Sequence, residues 1–442
     1  MTARITPQKF CGTVKIPASK SHTIRQLLIA SLADGESEII NPLDSLDTRS
    51  CLSVCRAFGA EINEEKTESL LRWKIKGNNN FNNTASLRES LKIDIGNSGT
   101  TLFLALALAG LQSEWIEFIG DDQIQKRSAA PLLDALAGLG VQSRSANGYV
   151  PIAVKGPWKG GKVSLHCPTS QYLSALLIAS PLAPAGTITE VEVLLLNEKP
   201  YIDMTLSYLK AHDIPFKIAM LPGGNPDYSR FFIPGGSSWK AFSGSVPGDF
   251  SSAAFPAAVA AISGGQVTLS GLDQKDTQGD KYFFEILKQM GCNIQWQTDD
   301  KGVSSTFVSR SSPLRGGTFD LNETPDLLPA AAAVAAFADG DTVLANVAHA
   351  RIKETDRIAV MAKELAKLCV NCTELPGGLV VHGKGGLSVQ KENCVINGHG
   401  DHRIVMAFAA LGCQIPVEIT AAEYAAATYP GFLDLLNAEW QK

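Results

Sequence analysis

Several turns of this chain carry side chains suited to holding a small anion and to moving protons on it. Lys20 and Arg25 lie in Ser19-Lys20-Ser21-His22-Thr23-Ile24-Arg25, and Arg127 lies in GDDQIQKRSAAP. Thr169, Ser170 and Gln171 form a hydroxyl and amide set. Asp326 follows a Thr-Pro pair; Arg351, Lys353, Glu354 and Arg357 form RIKETDR; Asp401, His402 and Arg403 are consecutive. The planar guanidinium fork pairs with carboxylates and phosphates through two parallel hydrogen bonds. Taken singly, each residue has an ordinary structural reading. A Lys or Arg in a turn is most often a solvated surface group, Thr355 reads as a helix N-cap, and a lone His402 as a hydrogen-bonded structural residue.

What unites these residues is their place in a repeated pattern. Pro17–Asn41 runs from a polar turn into an apolar stretch at helical spacing (Ile24, Leu27, Leu28, Leu32), stops at Asp34-Gly35 and alternates as a short strand, Glu36–Ile40. The pattern returns at Ile95–Gly120, Pro168–Val193, Pro247–Gly271, Glu323–Val347 and His399–Thr420. Six copies recur every ~72–81 residues, an internal repeat. Second amphipathic helices are expected at Ser45–Phe58, Ala129–Leu139, Tyr201–Ala211, Asp280–Met290, Thr355–Leu368 and Gly431–Trp440. The unit reads as βαβαββ. The first helix of each copy is rich in small residues and nearly free of charge, as in Ala330–Ala336, so it should be buried rather than exposed.

The polar turns therefore fall at helix N-termini, where free N–H groups and partial positive charge attract anions. Threefold-related helices pointing the same way would bring several such termini to one cleft, and its ligand should carry phosphates and carboxylates.

Composition sets bounds on the function. A chain of 442 residues should form two or more domains, and 45% hydrophobic with 19% charged residues is ordinary for a globular protein. The net charge of −5 gives no general basic field for nucleic acid. Neither a secretory signal nor a membrane span is legible, which points to the cytoplasm. The nine cysteines are scattered, and Cys369-x-x-Cys372 has no second pair at metal-site spacing, so buried reduced thiols are expected. Loops are expected at the Asn-rich patch 78–83 and at 222–226. Three repeats fall at about 19–246 and three at 247–442. The N-terminal strand Arg4–Ile16 is expected to join the second set, giving a discontinuous domain (1–18 plus 247–442), an inserted domain (19–246) and an active site in the cleft between them.

Seven motifs spread over essentially the whole length resemble the 5-enolpyruvylshikimate-3-phosphate synthase (3-phosphoshikimate 1-carboxyvinyltransferase) family. They are SKSxxxR at Ser19–Arg25, GNSGTT at Gly96–Thr101, SQxLSALL at Ser170–Leu177, KPYID at Lys199–Asp203, QGD at Gln278–Asp280, KETDR at Lys353–Arg357 and DHR at Asp401–Arg403. The resemblance implies an α/β fold of two domains, each an inside-out barrel of three βαβαββ units. It implies transfer of the enolpyruvyl group of phosphoenolpyruvate to the 5-hydroxyl of shikimate 3-phosphate with release of phosphate, by a monomer using no metal or organic cofactor. By the same resemblance, Lys20, Gly99, Arg127, Gln171, Arg357 and Arg403 would bind phosphoenolpyruvate. Ser21, Arg25, Thr169, Ser170, Tyr201, Asp326 and Lys353 would bind the acceptor. Asp326 would take the hydroxyl proton, Glu354 would protonate the methylene, and Lys20 would assist the departing phosphate.

Five positions depart from the family pattern. Phe103 stands for an Arg, Ala427 for a Lys, Glu198 for a Ser that touches the acceptor phosphate, His349 for an Asn and Gln123 for an Arg. A carboxylate beside a phosphate is costly unless paired or protonated. Either Glu198 points elsewhere or the acceptor lacks that phosphate. Alternative readings are the same transfer onto another cyclic alcohol, or a phospho-ligand-binding module without turnover. A related transferase acting on UDP-N-acetylglucosamine uses a loop Cys, and this chain has none between Cys55 and Cys167.

Overall fold

The repeat places a strand, a buried helix and a second strand, then an amphipathic helix and, in the first five copies, a β-hairpin. The computed structural model describes residues 1–67, 70–78, 81, 91–220, 230–300, 303–310, 312–386 and 394–437. The turn expected at 222–226, most of the patch 78–83 and the end of the last expected helix (438–440) lie outside the described residues.

The chain divides into two compact units, Lys20–Val246 and Met1–Ser19 with Pro247–Lys442. In the inserted unit, helices Lys20–Leu32, Gly99–Ala109 and Gln171–Ala179 are the first helices of their repeats. Gly99–Ala109 packs against both of the others. In the discontinuous unit the corresponding helices are Phe250–Ser263, Leu328–Ala335 and His402–Gly412, and all three pack on one another. Every residue of Leu328–Ala335 is buried. Its alanines let neighbouring backbones approach closely, so burial rather than solubility explains the run.

The sheets follow one plan. In Leu91–Asp94, Ile116–Ile119, Tyr149–Lys155 and Gln142–Ala146, the first two strands pair parallel and the rest antiparallel. The order Gly161–Cys167, Ile188–Leu196, Arg230–Pro234, Lys217–Ala219 is the same, as is Thr318–Asp320, Asp339–Ala345, Gly378–Lys384, Asn371–Leu375. Three sheets take a strand that is distant in sequence. Cys11–Lys15 pairs parallel with Gln266–Leu272, and Ser243–Ser245 pairs parallel with Glu36–Ile40. The single expected strand Arg4–Ile16 is two, Thr2–Ile5 and Cys11–Lys15, each in its own sheet. Pro7 lies in the break, where a missing N–H cannot extend a ladder. Thr2–Ile5 pairs antiparallel with Val417–Thr420 and so completes the last repeat, whose sheet has three strands rather than four.

Strand exits share a backbone conformation. Asn41, Glu198, Asn346 and Ala421, one or two residues past the second strand of their repeats, all have φ between 55° and 59°. In these four repeats the turn that launches the second helix takes this left-handed conformation, whatever the residue. The second helices begin close to the expected positions. One difference bears on the site: Arg357–Lys367 is capped by Asp356, whose carboxylate accepts from the Ala359 N–H at 3.0 Å, and not by Thr355. Asp is as strong a cap as Thr, and the shift frees the Thr355 hydroxyl for Asp401, 3.2 Å away. Among the described residues no helix is long and apolar enough to cross a membrane.

The hairpin of the fifth repeat passes so close to its buried helix that Gly383 is obligatory. A Cβ there would stand 2.2 Å from the Ala338 carbonyl and 2.7 Å from that of Ala335. The same approach recurs at Gly77 against the carbonyls of Ala33 and Ala30. Gly383→Ala should therefore cost about 2–3 kcal/mol and lower the melting midpoint by roughly 5–10 °C. An unchanged midpoint by calorimetry would show that the hairpin can move away.

Candidate active site

Arg357, in the first turn of its helix, is fully buried. Its guanidinium donates from Nε to Asp401 Oδ2 at 2.7 Å, from Nη1 to Asp326 Oδ1 at 2.7 Å and from Nη2 to Glu354 Oε2 at 2.5 Å. Asp326 turns its other oxygen to Arg403, 2.7 Å from Nη2. Asp401 also caps the helix His402–Gly412, accepting from the Arg403 N–H at 2.8 Å. Three carboxylates thus surround two guanidiniums in the turns that open the fifth and sixth repeats' helices.

The electrostatics of this cluster are strongly coupled. Burial works against the charge on Arg357, but Asp401, Glu354 and Asp326 outweigh it and hold the guanidinium more firmly protonated than usual. Burial likewise favours neutral Asp326, yet Arg403, Lys353 and Arg357 hold its carboxyl well below the ordinary carboxylate range. Asp401 is lowered in the same way, Arg357 overcoming the effect of burial. Asp280, from the QGD motif, behaves oppositely. It is buried, accepts from the Ser251 hydroxyl, and its Oδ1 has no hydrogen-bond partner among the described residues. Burial first, then repulsion from Asp326, pushes its carboxyl up to about 7.

The inserted unit has its own set of such side chains. Lys20 opens its helix and pairs with Asp47 at 2.9 Å, both side chains 14% exposed. Gly99 opens the next, and a Cβ on it would stand 2.5 Å from Arg127 Nη1, so the glycine makes room for the guanidinium. Gln171 opens the third, and its side-chain oxygen is buried with no partner among the described residues.

Arg25 is buried beneath the first turn and gives its N–H groups to neighbours of its own unit. These are Thr205 Oγ1 (3.0 Å), the Ser21 carbonyl (3.2 Å), Ser174 Oγ (3.2 Å) and the Tyr201 carbonyl (3.3 Å). Burial lowers it to about 10, since these partners are neutral. Thr169 and Ser170 both donate to Glu198, which is itself buried.

The structure brings together Asp326, Glu354, Arg357 and Arg403, with Lys353 near enough to act on Asp326. It brings Gly99 to Arg127, and Ser21 and Tyr201 to Arg25. Residues outside the expected site also belong to these networks, among them the acids Asp47, Asp280 and Asp401. Asp401 and Asp280 were visible as members of DHR and QGD; Asp47 had only its place behind the capping residue Ser45 as a signal.

Four of the five departures have local partners. The Phe103 ring meets Tyr172 edge-on at 5.0 Å, and the Tyr172 hydroxyl donates to the Ser128 carbonyl at 2.5 Å. An apolar pair therefore replaces a cation there. His349 bonds the Asn322 carbonyl at 3.0 Å, and Gln123 accepts from the Asn97 amide. Glu198 points inward, onto Thr169 and Ser170. Ala427 ends a short 3-10 helix, Ala422–Ala427, and nothing in the structure explains the loss of a Lys there.

Comparison with known proteins gives consistent matches. The protein-family description EPSP synthase (3-phosphoshikimate 1-carboxyvinyltransferase) matches residues 5–436. A 3-phosphoshikimate 1-carboxyvinyltransferase of Acetivibrio thermocellus is 42% identical over 441 residues, covering 99% of this chain and 98% of its own. That of Ruminiclostridium cellulolyticum is 40% identical over 442 residues, covering 99% and 98%. A solved EPSP synthase from Acinetobacter baumannii superposes with a TM-score of 0.79 at 27% identity, covering 99% of this chain and 97% of that one.

The raised Asp280 carboxyl has a measurable consequence. Its folded value of about 7 lies above the ordinary 3.8. Between those limits the folded protein keeps a proton that the unfolded chain releases, so stability falls as pH rises through the window. Asp280→Asn should flatten the melting temperature between about pH 4 and 7 and raise it at about pH 8. Thermal unfolding of both proteins across this range checks the expectation, and parallel profiles would refute it.

Proposed function

Because the chain belongs to the EPSP synthase (3-phosphoshikimate 1-carboxyvinyltransferase) family, we propose a role for each group of its site. The protein transfers the enolpyruvyl group of phosphoenolpyruvate to the 5-hydroxyl of shikimate 3-phosphate and releases phosphate, a step of aromatic amino-acid biosynthesis. Arg357 and Arg403 bind the phosphoenolpyruvate carboxylate, and Lys20, Gly99, Arg127 and Gln171 its phosphate end. Ser21, Arg25, Thr169, Ser170, Tyr201, Asp326 and Lys353 bind the acceptor.

The reaction needs one proton removed and one delivered. As the acceptor oxygen bonds to C2, its proton passes to Asp326, and C3 gains a proton from Glu354, which gives a tetrahedral intermediate. Glu354 then takes a proton back from C3 while the C2–O bond to phosphate breaks, with Lys20 and Arg127 stabilising the departing charge. The observation that carries this reading is that Asp326 and Glu354 share one guanidinium, at 2.7 and 2.5 Å from Arg357.

That sharing also supplies a mechanism of activation. Arg403, Lys353 and Arg357 together make Asp326 a poor base. A substrate carboxylate that claims the two guanidiniums loosens their hold on Asp326 and takes the Arg357 donor away from Glu354. Binding of phosphoenolpyruvate thereby arms both groups. The nine free cysteines fit a reducing cytoplasm.

The test is phosphate release from phosphoenolpyruvate and shikimate 3-phosphate, with the enol-ether product followed by phosphorus NMR. Asp326→Asn and Glu354→Gln should each lower kcat by about 10²–10⁴-fold. Arg403→Gln should raise the KM for phosphoenolpyruvate more than that for the acceptor. Wild-type turnover in either carboxylate variant removes that residue from the mechanism.

A further inference from the structure

Glu198 is a buried acid that the proposed mechanism does not use. It is 1% exposed and leads into the helix Lys199–Ala211 from a left-handed residue, φ 59°. One carboxylate oxygen, Oε2, accepts three hydrogen bonds. They come from the Ser170 hydroxyl at 2.9 Å, the Ser170 N–H at 3.1 Å and the Thr169 hydroxyl at 3.2 Å. Ser170 directly precedes the helix Gln171–Ala179, so its N–H is one of the donors that a helix end leaves free. The positive charge of Arg25 lies close enough for the Glu198 charge to act on it. Two hydroxyls, a backbone N–H and a nearby guanidinium are what one edge of a phosphoryl group requires. Here a side chain of the protein itself fills that set of donors.

We infer that Glu198 is an intramolecular competitor for the acceptor's phosphate: its carboxylate holds Thr169 and Ser170 until it is displaced, and so sets how strongly the phosphorylated acceptor is preferred. The inference rests on the assignment of Thr169 and Ser170 to the acceptor. Two anions cannot share the donors, because like charges at contact distance repel strongly in a buried setting. Binding of shikimate 3-phosphate therefore requires the Glu198 side chain to rotate out, and its release allows the carboxylate to return. The left-handed backbone at Glu198 belongs to the repeat, since Asn41, Asn346 and Ala421 share it. Glu198→Ser therefore changes the side chain without asking the turn for a new conformation.

Steady-state kinetics of the wild type, Glu198→Ser and Glu198→Gln provide the test. Glu198→Ser should lower the KM for shikimate 3-phosphate by roughly 10-fold or more while the KM for phosphoenolpyruvate stays within about twofold. Glu198→Gln, which removes the charge but keeps the bulk, should lower the acceptor KM by a smaller factor. An acceptor KM that is unchanged or raised in both variants, with wild-type circular dichroism, makes Glu198 a structural cap and overturns the inference. A crystal structure of the wild type with shikimate 3-phosphate decides independently of either variant's folding. Phosphate on Thr169 and Ser170 with Glu198 turned away supports the competition, and a carboxylate still bonded to both beside bound acceptor overturns it. Wild-type turnover separates the two claims. Phosphate release with no KM effect in the variants leaves the proposed function standing and removes only this inference, whereas no release at all overturns both.

Discussion

The guanidinium of Arg357 is the group on which the charged cluster of the discontinuous unit depends. A buried charge is tolerated only when it is paired and fully hydrogen-bonded. Asp401, Asp326 and Glu354 meet that demand, and the four groups become one electrostatic object. Removing one partner would leave charge uncompensated in a dry setting, at a cost of about 3–5 kcal/mol. The same coupling fixes these carboxylates in place. Asp326 is held from two sides, by Arg357 and by Arg403.

The fold makes this cluster possible by assigning different tasks to the two ends of the central helices. Along their lengths, Phe250–Ser263, Leu328–Ala335 and His402–Gly412 are almost entirely buried and rich in alanine, which lets them pack side by side. At their N-termini the residue types change abruptly to acids, hydroxyls and arginines. Free N–H groups at those ends help to hold anions, as at Asp401, whose carboxylate accepts from Arg403. Small-residue packing thus joins the helices along their lengths, and the turns at their N-termini carry the charged groups.

Arg25 and Arg357 show how differently one residue type can behave at equal burial. Arg25 is surrounded by hydroxyls and carbonyls, and desolvation lowers its proton affinity to about 10. Arg357 is surrounded by carboxylates, and its affinity rises. The first arginine orders the turn around Ser21 and Tyr201. The second holds three carboxylates of its own unit at once. The residues that depart from the family pattern have adapted in a similarly local way. Phe103 belongs to an aromatic pair with Tyr172, and His349 ties the fifth repeat's turn through Asn322.

The sixfold repeat, the burial of its alanine-rich helices and the residues of the turns were legible in the sequence, because periodicity and capping act over a few residues. Pro7 could have signalled the break that sends Thr2–Ile5 and Cys11–Lys15 to separate sheets. The pairing within the site was not legible. Arg357 meets Asp326 across 31 positions and Asp401 across 44, and no local pattern records which of several nearby acids it chooses. The direction of Glu198 was open for the same reason: composition gave a carboxylate after a strand, and only the packing of its repeat aimed it at Thr169 and Ser170. Sequence alone determined the units and the chemical types at their turns, through short-range propensity. Tertiary structure decided which charges share a hydrogen bond, because that choice is made between segments that meet only after the repeats have packed.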